Sequence, residues 1–371
     1  MKIKELWSFK FNEPILGIEL GDINNNGQIE IFAYTKAGMV FILSLKGELL
    51  HKELISKDTP IWHSRIYDID KDSENELILG GMDGILRVFK PNITYDLNPF
   101  WNHKFGASIS GILIDDINND NLDELIVFSL DKTIRTLNPL DGNLVWGQIF
   151  EDGIGDATIF IDDKNSKKEI LASGNDGTIR SFDGTNGKML WFKRFSNKMR
   201  CISYISSIEG IVVLCGGDDK KLHFVSKKTQ KEFKTKEFND YVWKCISYPY
   251  PIFNKAIVSS YSYAYFYNSL PIEKIRFTSN LIYINEVLDV EWEIEGYNIE
   301  FLKVIEIFNR VLILAGTTKG ELIFVDENTG IILSKINDNF CVNMIKFLKE
   351  KKVFFSCHDD GTISGFKLEE I

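Results

Sequence analysis

Three short stretches place oxygen side chains at positions 1, 3, 5 and 9 of a nine-residue segment. The first holds Asp22, Asn24, Asn26 and Glu30, the second Asp68, Asp70, Asp72 and Glu76, and the third Asp116, Asn118, Asp120 and Glu124. Alternate residues of a tight loop converge on one point, and a hard cation such as Ca²⁺ takes about six to eight oxygens. A structural Ca²⁺ is the one cofactor this pattern admits. None is required, because Asp and Asn favour such turns by bonding the amides that come after them. A fourth stretch, Asp162–Glu169, is one residue short and rich in lysine, so its site reads as lost. Catalytic chemistry has no comparable signal. There is no G-x-S-x-G, no H-E-x-x-H and no P-loop. The histidines His51, His63, His103, His223 and His358 are dispersed without metal-ligand spacing, and only His63 and His358 fall near loops of one common face. The expectation is a protein that is not an enzyme.

The elements that carry these loops repeat along the chain. Lys168–Phe195 opens with an apolar run, turns at Asn175-Asp176-Gly177, and returns through the alternating Thr178–Phe182. It turns again at Thr185-Asn186-Gly187 and leaves through Met189-Leu190-Trp191. Asp-Gly and Asn-Gly turns between short apolar runs predict hairpins, since Gly and Asn accept the positive φ such turns need. The first of these turns, between the second and third strands of a repeat, recurs at Ala37-Gly38, Asp83-Gly84, Asp131-Lys132, Asp176-Gly177, Asp219-Lys220, Ser262-Tyr263, Lys319-Gly320 and Asp360-Gly361. Most steps are about 41 to 48 residues, the period of four-stranded propeller blades of WD40-like length. The step into the seventh copy is longer, and residues Asn280–Tyr297 read as an insertion. Sustained 3.6-residue periodicity is absent, which predicts very little helix.

A Trp-x-x-x-Phe signature marks the outer strands, at Trp7/Phe11, Trp101/Phe105, Trp146/Phe150 and Trp191/Phe195. The first pair precedes any complete repeat, and the last repeat has three strands. Residues 1–11 are therefore expected to supply the outer strand of the last blade and to close the ring. The expected fold is all-β, one propeller domain over 1–371 with eight four-stranded blades. Their bounds are 12–57, 58–106, 107–153, 154–197, 198–240, 241–297 with the insertion, 298–338 and 339–371. Seven blades is the alternative, because the sixth repeat lacks its Asp-Gly turn.

In such a fold the loops entering the first strands share a face with the second-to-third turns. That face would carry Trp62, His63, Arg65, Arg200, Trp243, Lys244 and Phe340. Trp, Tyr and Arg are the usual interface anchors, and Trp62 and Trp243 fall outside the outer-strand register. A second candidate surface is the sixth repeat, where Tyr261, Tyr263, Tyr265 and Tyr267 alternate along one strand face and Trp292 sits between two glutamates of the insertion. These residues predict a protein partner. A net charge of −10 argues against nucleic acid, and no apolar run approaches a membrane span, so membrane insertion is not expected. The five cysteines are an odd number without C-x-x-C spacing and lie in or beside apolar strands. They read as free thiols of a cytoplasmic protein.

The acidic loops ahead of an apolar strand resemble FG-GAP repeats of the integrin-α N-terminal type, over about the first third of the chain. That resemblance implies a Ca²⁺-stabilised propeller that binds protein, and intracellular propellers of this type are typically scaffolding subunits. The spacing Asp183-x-x-Asn186-Gly187-x-x-x-Trp191, and that from Asn138 to Trp146, is similar to the tryptophan-docking repeat of quinoprotein-like (PQQ-type) propellers. Those enzymes use a vicinal cysteine pair, which this sequence lacks. A scaffold subunit is the leading expectation. The alternative is a propeller that binds a sugar or other small ligand, or acts on one, at its channel mouth.

Overall fold

A computed structural model describes residues 2–161, 167–248, 254–263 and 271–370. Among these residues the strands form eight four-stranded antiparallel sheets, and the only helices are the 3-10 turns Ile272–Lys274 and Lys349–Lys351. This is the all-β propeller that the turn spacing predicts, with eight blades rather than seven. Each blade runs from its first strand to its fourth in sheet order. Blade 8 takes its fourth strand from the N-terminus: Lys2–Lys10 pairs antiparallel with Thr362–Glu369, from Lys2↔Glu369 to Lys10↔Thr362.

Burial tracks strand position. The second strands Glu30–Thr35, Glu76–Gly81 and Glu124–Ser129 are buried at every residue, which accounts for their continuous apolar runs. Fourth strands such as Glu232–Glu237 and Val290–Glu295 alternate between exposed and half-buried residues. The second-to-third turns are set by their aspartates. Asp131 and Asp176 accept the amides of Thr133 and Thr178, and pair with Arg135 (3.0 Å) and Arg180 (2.8 Å). The Arg180 guanidinium then lies 4.0 Å from the Phe150 ring centroid.

The chain divides into two compact units of four blades each, residues 1–149 with 340–371 and residues 150–339. Within the first unit, apolar clusters join blade 8 to blade 1 (Phe11, Ile18, Phe41, Phe355), blade 1 to blade 2 (Phe32, Tyr34, Leu79), and blade 2 to blade 3 (Val88, Ile112, Val127). Within the second, clusters join blade 4 to blade 5 (Leu171, Trp191, Val213), 5 to 6 (Leu214, Phe224, Val258), and 6 to 7 (Ile257, Tyr283, Ile313).

Blade 6 corrects one expectation. Its first two strands are Tyr241–Tyr248 and Lys255–Tyr261, and its last two are Asn280–Ile284 and Val290–Glu295. The extra residues therefore fall between the second and third strands, and Asn280–Tyr297 is not an insertion. The sixth repeat has no Asp-Gly turn to anchor the register, and a turn placed at Ser262-Tyr263 shifts the third and fourth strands out of position. Trp292 is corrected with it. It occupies the fourth-strand tryptophan position, stacks on Tyr283 (5.7 Å, 21°) and donates its indole N–H to the Glu327 carbonyl at 2.6 Å. Tyr265 and Tyr267 lie outside the described residues, as do residues 162–166 of the fourth acidic stretch.

Candidate functional site

Among the described residues, the first strand of every blade carries a β-bulge at its second or, in blade 6, third residue. In blade 2, Ile61 pairs with Gly81 and His63 with Gly80, which leaves Trp62 unpaired. The same skip leaves out Leu16, Ser110, Gly155, Arg200, Trp243, Glu300 and Asn343. A bulge breaks the in–out alternation and re-aims one side chain, so the ladder does not dictate what stands there. Trp62 and Trp243, singled out by sequence for falling outside the tryptophan register, occupy this one repeated position, and so does Arg200.

In the second unit the bulge residues of blades 5 and 6 form a cluster. Trp243 stacks on Tyr261 (5.1 Å, 29°) and meets Tyr263 edge-on (5.8 Å, 88°). Tyr263 also packs against Tyr241 at 5.6 Å and Tyr261 at 5.3 Å. The Arg200 guanidinium lies 5.5 Å from the Trp243 ring and is held by two bonds to Asp218, Nε at 2.7 Å and Nη2 at 2.9 Å. A bidentate pair fixes the guanidinium plane, and an arginine over a tryptophan face adds a cation–π attraction. Burial pushes the Tyr263 hydroxyl up to about 12, so it remains a protonated donor. Tyr261 is buried, whereas Trp243, Tyr263 and Arg200 are half-buried and keep an open side.

Lys244 comes directly after the bulge and takes no part in this cluster; its charge acts on Asp156. Asp156 lines an open cleft of about 230 Å³ between the first strands of blades 4, 5 and 6, together with Thr158, Ser203, Tyr204 and Ser247. Its carboxylate accepts the Ile202 amide (3.0 Å) and the Ala157 amide (2.9 Å), while burial pushes its pKa up to about 6. No sequence pattern pointed to this residue.

In the first unit, Trp62 is 49% exposed and Phe340 46%. Met82 and Leu130, on the second-to-third turns of blades 2 and 3, are exposed to a similar degree. Sequence reading missed both, although an apolar residue in a hydrophilic turn was the available signal. Arg65 does not join them, because its guanidinium bonds the Ser64 carbonyl (2.8 Å) and the Ile112 carbonyl of blade 3 (3.0 Å). His63 is half-buried on the same strand, and His358 is buried against Ser356 at 2.8 Å.

The three acidic loops close on their own amides. Asp22 accepts Asn26 and Gly27, Asp68 accepts Ser73, and Asp116 accepts Asp120 and Asn121. Glu30, Glu76 and Glu124 reach back to the amides of Ile23, Ile69 and Ile117 at 2.9–3.1 Å. Burial pushes Glu76 and Glu124 up to about 7. Asn24 turns its amide to the Ile93 carbonyl, Asn26 accepts Gln28, and Asn118 donates to Glu124 and Asp120. Among the described residues, the carboxylates that converge are Asp68, Asp70 and Glu76, each offering an oxygen within 4.8 Å of the others. The Lys90 ammonium already lies there, 2.6 Å from Asp70, 2.6 Å from Asp72 and 3.3 Å from Glu76.

Fold and surface define a β-propeller with an aromatic and cationic cluster at its strand bulges. Residues 151–246 match the family model of the lambda-carrageenase beta-propeller domain, and residues 53–139 match that of the KICSTOR complex protein kaptin. No curated protein matches the chain significantly. Among solved structures, the chain is similar to the computationally designed Ika8 protein, at 14% identity over 98% of this chain and 99% of that one, with a TM-score of 0.71. It is similar to BamB from Moraxella catarrhalis, at 14% identity over 100% and 99% of the two chains (TM-score 0.66). It is also similar to Sqt1 from Saccharomyces cerevisiae, at 11% identity over 100% of both (TM-score 0.74). At these identities the likeness establishes the fold alone. No helix of the described residues is long and apolar enough to cross a membrane.

Proposed function

We propose that this propeller is a non-enzymatic protein-interaction scaffold, a subunit of a cytoplasmic assembly, gripping its partner at the bulges of blades 5 and 6. The observation that carries the reading is the Arg200–Trp243–Tyr263 cluster. It gathers the residue types that dominate interface hot spots at a position the sheet ladder leaves unconstrained. The pre-set Asp218–Arg200 pair means little side-chain entropy is lost when a partner docks. The match of residues 53–139 to a protein of the KICSTOR complex supports an assembly role. Five free cysteines, four of them buried, support a reducing compartment.

The test is capture of a stoichiometric partner from lysate of the source cell by wild type, Trp243→Ala and Arg200→Glu. Both variants should fold and lose about tenfold or more in partner affinity, as expected for a hot spot. Full capture by both variants defeats the proposed surface. A second reading rests on the match to a carrageenase propeller, which spans most of the lining of the Asp156 cleft. Under it, a saccharide would bond the Asp156 carboxylate and the Ser203 and Ser247 hydroxyls. Thermal stabilisation by oligosaccharides, abolished by Ser203→Ala, would favour it over the scaffold.

A further inference from the structure

The three acidic loops differ in charge, and the difference has a counterpart on a neighbouring strand. Blade 2 carries four carboxylates at the motif positions (Asp68, Asp70, Asp72, Glu76), blade 3 three (Asp116, Asp120, Glu124) and blade 1 two (Asp22, Glu30). Across the second and third strands, Glu30 faces Ser44 in blade 1. One step beyond the Leu125↔Leu137 pair, Glu124 faces Asn138 in blade 3. The same step beyond Leu77↔Phe89 sets Glu76 against Lys90 in blade 2. Ser44 and Asn138 are short and neutral. Lys90 is long and charged, and it stands in the loop with the most negative charge.

Its ammonium donates to Asp70 and Asp72 at 2.6 Å each and lies 3.3 Å from Glu76 Oε1, a buried oxygen with no hydrogen-bond partner of its own. Its remaining side packs 4.8 Å from the Phe100 ring centroid. Oxygens gathered this closely, with Glu76 fully buried, repel one another unless a cation lies between them. We propose that Lys90 is that cation: its Nζ takes the place a divalent ion would fill, so the blade 2 loop is set without metal. Asp68, Asp70, Asp72 and Glu76 then form a latent divalent-cation site that the lysine closes. This departs from what the FG-GAP resemblance implies for the second loop and leaves the first and third untouched. A propeller built this way keeps its most acidic loop ordered where free Ca²⁺ is scarce.

Calorimetric Ca²⁺ titration of wild type, Asp70→Asn, Lys90→Met and the Lys90→Met/Asp70→Asn double variant tests the proposal, with melting curves in EDTA and in millimolar CaCl₂. Wild type and Asp70→Asn should bind the same number of Ca²⁺ ions, since any binding in blades 1 and 3 does not involve Asp70. Lys90→Met should gain one further site, melt lower in EDTA and recover in CaCl₂. The double variant should bind at that added site about tenfold or more weakly, having lost a charged ligand. A wild-type site lost on Asp70→Asn, or a folded Lys90→Met without added Ca²⁺ binding, overturns the assignment. If Lys90→Met does not fold even in CaCl₂, the comparison of wild type with Asp70→Asn decides by itself. Equal stoichiometry upholds the assignment and a lost site defeats it.

Discussion

A carboxyl group surrounded by protein on most sides is a pH-dependent part of the fold, and Asp156 is the clearest case. Burial raises its pKa from an ordinary 3.8 to about 6, against the two amide hydrogen bonds and Lys244, which pull it down. Because the folded pKa is the higher one, the folded chain holds the proton more tightly between these values. The group's contribution is therefore fully present below about pH 4 and is lost as pH rises through 6. Asp156 is half-buried and lines an open cleft, and solvent screening there limits the change to about 1–2 kcal/mol. Asp156→Asn should flatten the dependence of melting temperature on pH between about 4 and 7. It should also lower stability throughout by about 1–3 kcal/mol, because one oxygen cannot accept both amides. A wild-type stability that rises across this range, or an unchanged slope in the variant, would contradict the assignment. Asp156 was not legible in the sequence, since an isolated aspartate on a strand carries no pattern. Trp62 and Trp243 were legible, because residues outside a strict repeat need another reason to be there, and Arg200 was legible as an interface-type residue on the same face. That they share a bulge was not, since a bulge is a matter of hydrogen-bond register rather than composition.

At the scale of elements, tryptophans bind one blade to the next. The indole N–H of Trp7, Trp101 and Trp292 donates to the carbonyls of Leu45, Pro139 and Glu327, each in the third-to-fourth turn of the next blade. In each case the ring lies against a glycine of positive φ, namely Gly47, Gly142 or Gly330. The indole of Trp191 is buried against blade 5 but finds no acceptor, and the matching turn there has Gln230 in place of glycine. A Cβ at Gly142 would stand 2.4 Å from Trp101 Cε3, whereas at Gly27, also at positive φ, it would meet nothing within 4 Å. Gly142→Ala therefore combines left-handed strain with a collision and should cost about 3 kcal/mol or more. Gly27→Ala should cost only the strain, about 1–2 kcal/mol. Equal losses in urea denaturation would show that the ring contact does not matter. The Trp-x-x-x-Phe spacing exposed this device at Trp7 and Trp101 and hid it in the sixth repeat. Trp292 lacks the partner phenylalanine, and the displaced turn at Ser262-Tyr263 put it out of register.

At the scale of the whole molecule, the sheet of blade 8 is completed to four strands only when the N-terminal strand pairs with Thr362–Glu369. Its fourth strand, Lys2–Lys10, pairs with residues more than 350 positions away. The join is more than a ladder. Trp7 packs 5.8 Å from Phe355, Phe11 lies 4.0 Å from Phe41 of blade 1, and Lys10 pairs with Asp360 at 2.7 Å. Such contacts form late, since the entropy of closing the whole chain is spent before they repay it. Deleting residues 1–11 should leave the edge of Thr362–Glu369 unpaired and uncover Phe41 and Phe355, a strand edge beside apolar surface that templates association. The truncated chain is expected to melt lower, to elute as oligomers in size-exclusion chromatography, and to return to the monomer peak when a peptide of residues 1–11 is supplied. The recovery separates a missing strand from general misfolding, because only the native sequence restores both the ladder and the Trp7 contact. A truncated chain that elutes as a monomer with an unaltered melting temperature would mean that the terminal strand decorates blade 8 without holding it.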